Sequence, residues 1–276
     1  MLDYHVKIGL VPLRRDCSPR PGAFNWEIAE ERGRGLVKYI EEHYGTENIS
    51  FADLKGVIDV ETFYAEEDVE KVAAHMKAEK VDAMLFINAN FGCEEAAAAL
   101  AQEMNVPVLL WAPLDERFDA DGMRYTDSQC GIFGISRQFQ RYNLPFSFLN
   151  SCRVDSKKFA EGFDSFARTA CMVKNFRGMR IGEVGMRPKI FCSVIFNEGE
   201  LMQKFGVHVI PINMAVVTDK FNKIMAERTL ANEKIFPVWN STIAAYKTDD
   251  KGELEAVMLK NLVTGEETEL AVKCVF

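Results

Sequence analysis

The 276-residue chain predicts an α/β fold with a parallel sheet that gives way, near its C-terminal end, to antiparallel β structure. Three observations carry that expectation. Short apolar runs alternate with helix-period segments of about 10–20 residues, the grammar of βαβ units. The runs are nearly continuous rather than alternating, so their strands are covered on both faces. Beyond about residue 222 the helical spacing is replaced by strand-length runs separated by Asp/Gly and Thr/Gly turns.

Residues 6–11 form a buried strand that stops at Pro12. Residues 24–44 then place Phe24, Ile28, Leu36, Ile40 and Tyr44 on one helical face, with Glu and Arg opposite. Residues 57–60 read as a second short strand and 66–80 as a second helix. Residues 83–88 are the clearest strand, followed by an Ala-rich helix over 94–104 and a strand over 107–111. The polar interval 113–127, with its Asp121-Gly122 pair, is expected to loop over the carboxyl ends of the strands. A helix over 129–142, a strand around 146–148 and a long amphipathic helix over 156–175 complete a first, Rossmann-like domain of residues 1–175. Strands over 179–184 and 207–212 pair as the start of a second α/β domain, residues 176–221. Residues 222–276 hold a helix over 223–231 and three runs, 236–239, 256–262 and 269–275. Turns at 249–252 and at Thr264-Gly265 make these runs an antiparallel β-meander. The last run ends at Phe276 within a strand, an edge open to further pairing.

A net charge of −8 argues against nucleic acid or an anionic membrane as a partner, since both demand basic surface. The seven cysteines, Cys17, Cys93, Cys130, Cys152, Cys171, Cys192 and Cys274, are odd in number, scattered and never spaced Cys-x-x-Cys. That usage suits a reducing compartment, and the chain has neither a signal-like N-terminus nor a membrane-length apolar run, so the expectation is cytoplasmic.

Four blocks together resemble the fucose/arabinose isomerase superfamily over about the first 217 residues. They are Val6-Lys7-Ile8-Gly9-Leu10-Val11-Pro12-Leu13-Arg14-Arg15; Phe86-Ile87-Asn88-Ala89-Asn90-Phe91-Gly92-Cys93-Glu94-Glu95; and Asp127-Ser128-Gln129-Cys130-Gly131 with Asn143-Leu144-Pro145-Phe146 behind it. The fourth is Gly182-Glu183-Val184-Gly185-Met186-Arg187-Pro188, followed by Asn197-Glu198-Gly199-Glu200-Leu201. The resemblance implies a Mn²⁺-dependent aldose–ketose isomerase that moves a proton through an enediol, and a homo-oligomer whose strand-end loops approach a neighbouring subunit's active site. Such a centre needs carboxylates and imidazole around one divalent ion. In the family those ligands lie later in the chain than this resemblance reaches. The four histidines, His5, His43, His75 and His208, fall on separate elements without a carboxylate at ligand spacing, so no metal ligand and no catalytic residue is assigned.

Substrate-binding candidates are the residues just past strand ends, where ligands of open α/β sheets sit: Arg14, Arg15 and Asn90. Arg14 suits a surface ion pair, the more ordinary role, or a fork onto substrate hydroxyls or a carboxylate. Asn90, ahead of the helix at Glu94, suits a ligand contact or a turn and capping role. The Gly-rich turn Gly185-Met186-Arg187-Pro188, after a strand, is a further place that could cradle a ligand.

Residues 223–276 resemble a stretch of thioredoxin reductase, in Ile224-Met225-Ala226-Glu227-Arg228-Thr229-Leu230, Val238-Trp239-Asn240-Ser241 and Val257-Met258-Leu259-Lys260-Asn261-Leu262. That family uses FAD and NADPH. The Gly-x-Gly-x-x-Gly loops and Cys-x-x-Cys pair of its chemistry do not occur in this sequence. The expectation is therefore an isomerase N-terminal half joined near Asn222 to a reductase-like segment, inactive alone and binding no cofactor. The alternatives are a non-catalytic sugar-binding or oligomerisation module, and a flavin/NADPH-dependent reductase fragment.

Overall fold

The computed structural model describes residues 2–15, 25–273 and 275. Phe24, Cys17, Cys274 and Phe276 lie outside the described residues. By internal contacts the chain divides into two units, Met1–Ile181 with Phe196–His208, and Gly182–Ile195 with Val209–Phe276.

The first unit holds a parallel sheet of five strands: β1 (Val6–Leu13), β2 (Ile49–Ala52), β3 (Ala83–Asn88), β4 (Val108–Pro113) and β5 (Ser147–Cys152). Their order is β2-β1-β3-β4-β5, all pairs parallel. Five helices connect and cover them: α1 (Trp26–Tyr44), α2 (Val69–Ala78), α3 (Glu94–Met104), α4 (Ser128–Arg141) and α5 (Lys157–Phe176). Successive side chains of a strand point to opposite faces, so each inner strand feeds two cores. Met84 and Phe86 pack with Val72, Met76, Leu100 and Ile135 of α2, α3 and α4. Leu85 and Ile87 pack with Ile40 of α1 and Phe159, Phe163 and Phe166 of α5. This is the doubly covered α/β sheet the apolar runs predict.

The second strand is a correction. Residues 57–60 are turns, and β2 is Ile49–Ala52, in register with Val6–Gly9. Val57 and Ile58 are buried as expected of a strand, but Gly56 at φ +71° and a Val57 N–H bonded to the Leu54 carbonyl (3.0 Å) turn the backbone. Burial without extension satisfies the same apolar signal. Residues 114–127 do form a loop beyond the strand ends, tied internally by a bridge between Phe118 and Arg124.

Strands β6 (Arg180–Val184) and β7 (His208–Ile212) make a two-stranded sheet, as the sequence predicts, with α6 (Glu198–Phe205) between them in sequence. Asn197 caps α6 by accepting from the Glu200 N–H (3.0 Å).

Helix α7 (Met214–Leu230) begins earlier than the expected 223 because the Asn213 side chain caps it, accepting from Ala215 N–H at 2.8 Å. Residue 222 therefore lies inside a continuous helix. The antiparallel meander follows as β8 (Ser241–Thr248), β9 (Leu254–Asn261) and β10 (Glu267–Ala271), in the order β10-β9-β8. Its first strand is not 236–239, where Pro237 has no N–H to give a ladder. Among the described residues of the second unit, Ala256 and Val257 are the buried apolar side chains, and α7 buries none. No helix among the described residues is long and apolar enough to cross a membrane.

Candidate functional site

The chain leaves β1 to one side for β2 and returns to the other side for β3, so β1 and β3 flank the point where the winding reverses. A crevice opens at the carboxyl ends of strands at such a point. Register pairs Leu13 with Asn88 there, and the Ala89 N–H donates to the Leu13 carbonyl at 2.9 Å. Arg14, Arg15 and Asn90 thus arrive together, from segments 75 residues apart.

Asn90 is fully buried and acts as a clip. Its Oδ1 accepts from the backbone N–H groups of Arg15 (2.9 Å), Phe91 and Gly92, so one amide fixes both strand ends. Its Nδ2 is buried with no hydrogen-bond partner among the described residues. The Oδ1 of Asn88 below it is likewise unpartnered, while the Asn88 Nδ2 donates to the Ser128 carbonyl at 2.8 Å. Gly92 must be glycine twice over: φ is +80°, and a Cβ would stand 2.2 Å from Asn88 Oδ1. The turn role weighed for Asn90 is present in this geometry. Helix capping is not, since Cys93 occupies the N-cap of α3.

Arg14 is 2 % exposed. Its guanidinium carbon lies 4.1 Å from the centre of the Trp26 ring and 3.5 Å from that of Tyr64, two rings stacked 6.4 Å apart. Nε sits 3.5 Å from Glu30 Oε1, an ion pair without hydrogen-bond geometry, and Nη1 donates to the Arg15 carbonyl. A desolvated cation between two aromatic faces is held by about 2 kcal/mol or more. Arg14 is therefore built in as a strut that orients Arg15. Arg15 places its guanidinium 4.4 Å over the Phe91 ring and lines an open cleft of about 490 Å³ with Tyr64, Glu66, Glu67, Glu94 and Glu95. Glu66 hydrogen-bonds Glu95, and that bond together with the like charge raises the Glu66 pKa above the ordinary carboxylate range.

Arg32 was not singled out from the sequence, yet it ties the strand ends together. Nη1 donates to the Ala89 carbonyl (3.0 Å), Asp115 Oδ1 (3.1 Å) and Ser128 Oγ (3.0 Å), and Nη2 to the Leu114 carbonyl (2.6 Å). Burial lowers its pKa, against the opposing pull of Asp115. Asp115 also accepts from the Ser128 N–H (2.9 Å) and the Thr126 hydroxyl, so it caps α4 in place of Asp127. The available signal was the Gly33-x-Gly35 pair inside a helix, which costs helix stability and needs a reason. At Gly33 that reason is the close approach of Pro12, 3.0 Å from where a Cβ would be.

No group of three His, Cys, Asp or Glu side chains among the described residues is placed to hold a metal ion. The histidines stay on separate elements: His43 stacks on Tyr39 (3.9 Å) and His75 Nε2 meets the Asp53 carbonyl (3.0 Å).

Comparison with known proteins adds three findings. The family model for the fucose/sulfoquinovose isomerase N-terminal domain matches residues 9–177. Thioredoxin reductase 2 and mitochondrial thioredoxin reductase 1 of Arabidopsis thaliana are each 35% identical, over 80 and 82 residues, which is 29% of this chain and 21% of theirs. The chain thus spans about a fifth of the length of these relatives. The thioredoxin reductase structure from Streptococcus pyogenes MGAS5005 aligns over 71% of this chain and 75% of its own, at 15% identity and a TM-score of 0.19. The match to residues 9–177 spans more than half of the chain, most of the first unit and the whole strand-end crevice, and through it the chain belongs to the fucose/sulfoquinovose isomerase N-terminal domain family.

Proposed function

We propose that the first unit serves as the N-terminal domain of an aldose–ketose isomerase of the fucose type, and that it presents the Arg15–Asn90 crevice to a sugar. The observation that carries this reading is the family match over residues 9–177, lying on a sheet whose reversal point gathers buried, partly unpartnered amides beside Arg15. A guanidinium offers several N–H donors to hydroxyl or carbonyl oxygens. Asn90 and Arg14 keep the Arg15 backbone in place for that contact, and the Glu66, Glu67, Glu94 and Glu95 carboxylates that line the same cleft supply acceptors.

The Mn²⁺ implied for this chemistry does not fit the described residues. Such an ion takes several carboxylate or imidazole ligands, whereas the crevice offers Glu66, Glu67, Glu94 and Glu95 and no histidine, and no three such side chains among the described residues are placed to hold an ion. We therefore assign binding and orientation to this chain and leave the isomerisation step to residues beyond this unit. The reductase-like segment is read as a β-meander without redox chemistry, because the sequence contains neither the phosphate-binding glycine loop nor a cysteine pair.

Titrating isotope-labelled protein with L-fucitol tests the binding half. Saturable shifts at the amides of Arg15, Phe91 and Gly92, weakened in Arg15→Ala, are expected. Shifts confined to other residues, or none, would remove the crevice from the reading.

A further inference from the structure

A second cavity, of about 380 Å³, opens at the carboxyl ends of β4 and β5 beside α1. Arg14, Arg15 and Asn90 do not line it. Its apolar wall is made by Ile28, Leu36 and Tyr39 of α1 with Leu114 and Val154 from the two strand-end loops. Arg32 also lines it, with both terminal nitrogens committed to the network above.

The rim is charged but balanced. Arg117 Nη1 pairs with Glu31 at 3.2 Å, and Arg153 pairs with Glu116 (2.6 Å) and Asp155 (3.1 Å). An anion would meet no uncompensated guanidinium here, and a cation no uncompensated carboxylate. Yet each partner keeps hydrogen-bonding capacity. Among the described residues Arg117 uses Nη1 alone, and each carboxylate has lone pairs to spare. A hydroxyl both donates and accepts, so it can add to such pairs without breaking them. The apolar wall suits the C–H faces of the same molecule. The volume lies within the range of small-ligand sites.

We infer that this cavity is a second ligand site, specific for a neutral polyhydroxy compound of monosaccharide size. The inference goes beyond the isomerase reading and does not need it. A methyl glycoside is locked in its ring and cannot be isomerised, and the location of the shifts, at Ile28, Leu36 and Val154 rather than at Arg15 and Gly92, tells this site from the crevice.

The full chain, methyl-labelled, is titrated with methyl β-D-galactopyranoside, with D-galacturonate and D-galactosamine as anionic and cationic counterparts. The expected result is saturable movement of the Ile28, Leu36 and Val154 methyls by the neutral glycoside, with midpoints about tenfold higher for both charged sugars. Arg117→Gln and, separately, Leu36→Ser raise the glycoside midpoint at least about fivefold, as expected for loss of a charge-assisted hydrogen bond or of apolar contact. Lys77→Gln, on the exposed side of α2, leaves it unchanged. The inference is overturned by tighter binding of either charged sugar, by shifts located elsewhere, by no saturation up to about 50 mM, or by unchanged midpoints in both variants.

Discussion

Lys174 joins three segments that are far apart in sequence. Its Nζ donates to the His5 carbonyl (2.8 Å) and pairs with Asp3 (2.8 Å) and Asp82 (3.1 Å). Burial works against its ammonium, but the bonds to Asp3 and Asp82 outweigh that and raise its pKa above the ordinary lysine value. The Lys174 hydrogen bond in turn holds Asp3 below the ordinary aspartate value. A depressed carboxyl stabilises the fold above its unfolded pKa and loses that contribution as pH falls through the folded one; a raised lysine contributes below its unfolded pKa and loses it as pH rises through the folded one. The Tm difference between wild type and Lys174→Met is therefore expected to be flat from about pH 5 to 9 and to narrow as acid protonates Asp3. Thermal melts across that range and down to about pH 3 check it, and a gap that stays constant into acid contradicts it. Residues of this kind show how much of the site was legible. Arg15 and Asn90 were visible because they follow strands directly. Arg32, Asp115 and Ser128 were not, because their bonds cross 83 and 96 residues of chain and depend on helix placement that no local pattern encodes.

Elements were more legible than residues wherever one period dominated. The Ala-rich helix α3 shows both its limits, with left-handed Asn105 (φ 48°) ending it. The missed β2 shows the reverse: a four-residue edge strand with one polar position carries less signal than the buried turn at 57–60 that mimics it. An aromatic cluster packs α5 against the sheet and α1. Phe159 lies 4.4 Å from the Trp111 ring, and Phe163 meets Tyr44 at 5.2 Å and Phe159 at 5.9 Å, ring centre to ring centre. Phe163 is almost wholly buried, so Phe163→Ala removes a ring from a packed cluster that relaxes only in part. A stability loss of about 3–5 kcal/mol is expected, measured by urea unfolding. A loss below about 1 kcal/mol would mean that the α5 face does not hold the sheet as described.

The two units differ in kind. The first carries nearly all of the buried apolar side chains, in two clusters on either face of its sheet. In the second, Phe221, Trp239 and Val263 are exposed and α7 buries nothing. Local opening follows such differences in burial. Limited proteolysis is expected to cut first within residues 214–276 and to leave a core that keeps residues 196–208 of the first unit; a chain that resists cleavage throughout contradicts this. The antiparallel meander was legible because strand spacing replaces helical spacing there, although its first strand begins at Ser241 and residue 222 lies within α7. Where α7 begins was not, because Asn213 sets that limit through its side chain.

At this scale the isomerase family match ends at residue 177, and the crevice at Arg15 and Asn90, proposed as the sugar site, lies wholly on the matched side. The central claim is that this polypeptide carries the isomerase's sugar-facing domain without completing its reaction. The most direct measurement is an aldose–ketose interconversion assay on the purified full chain with Mn²⁺, using fucose, arabinose and their ketoses. The expected result is no conversion above the protein-free control. Reproducible interconversion, lost in Arg15→Ala, would contradict the claim by showing that a complete catalytic centre is present.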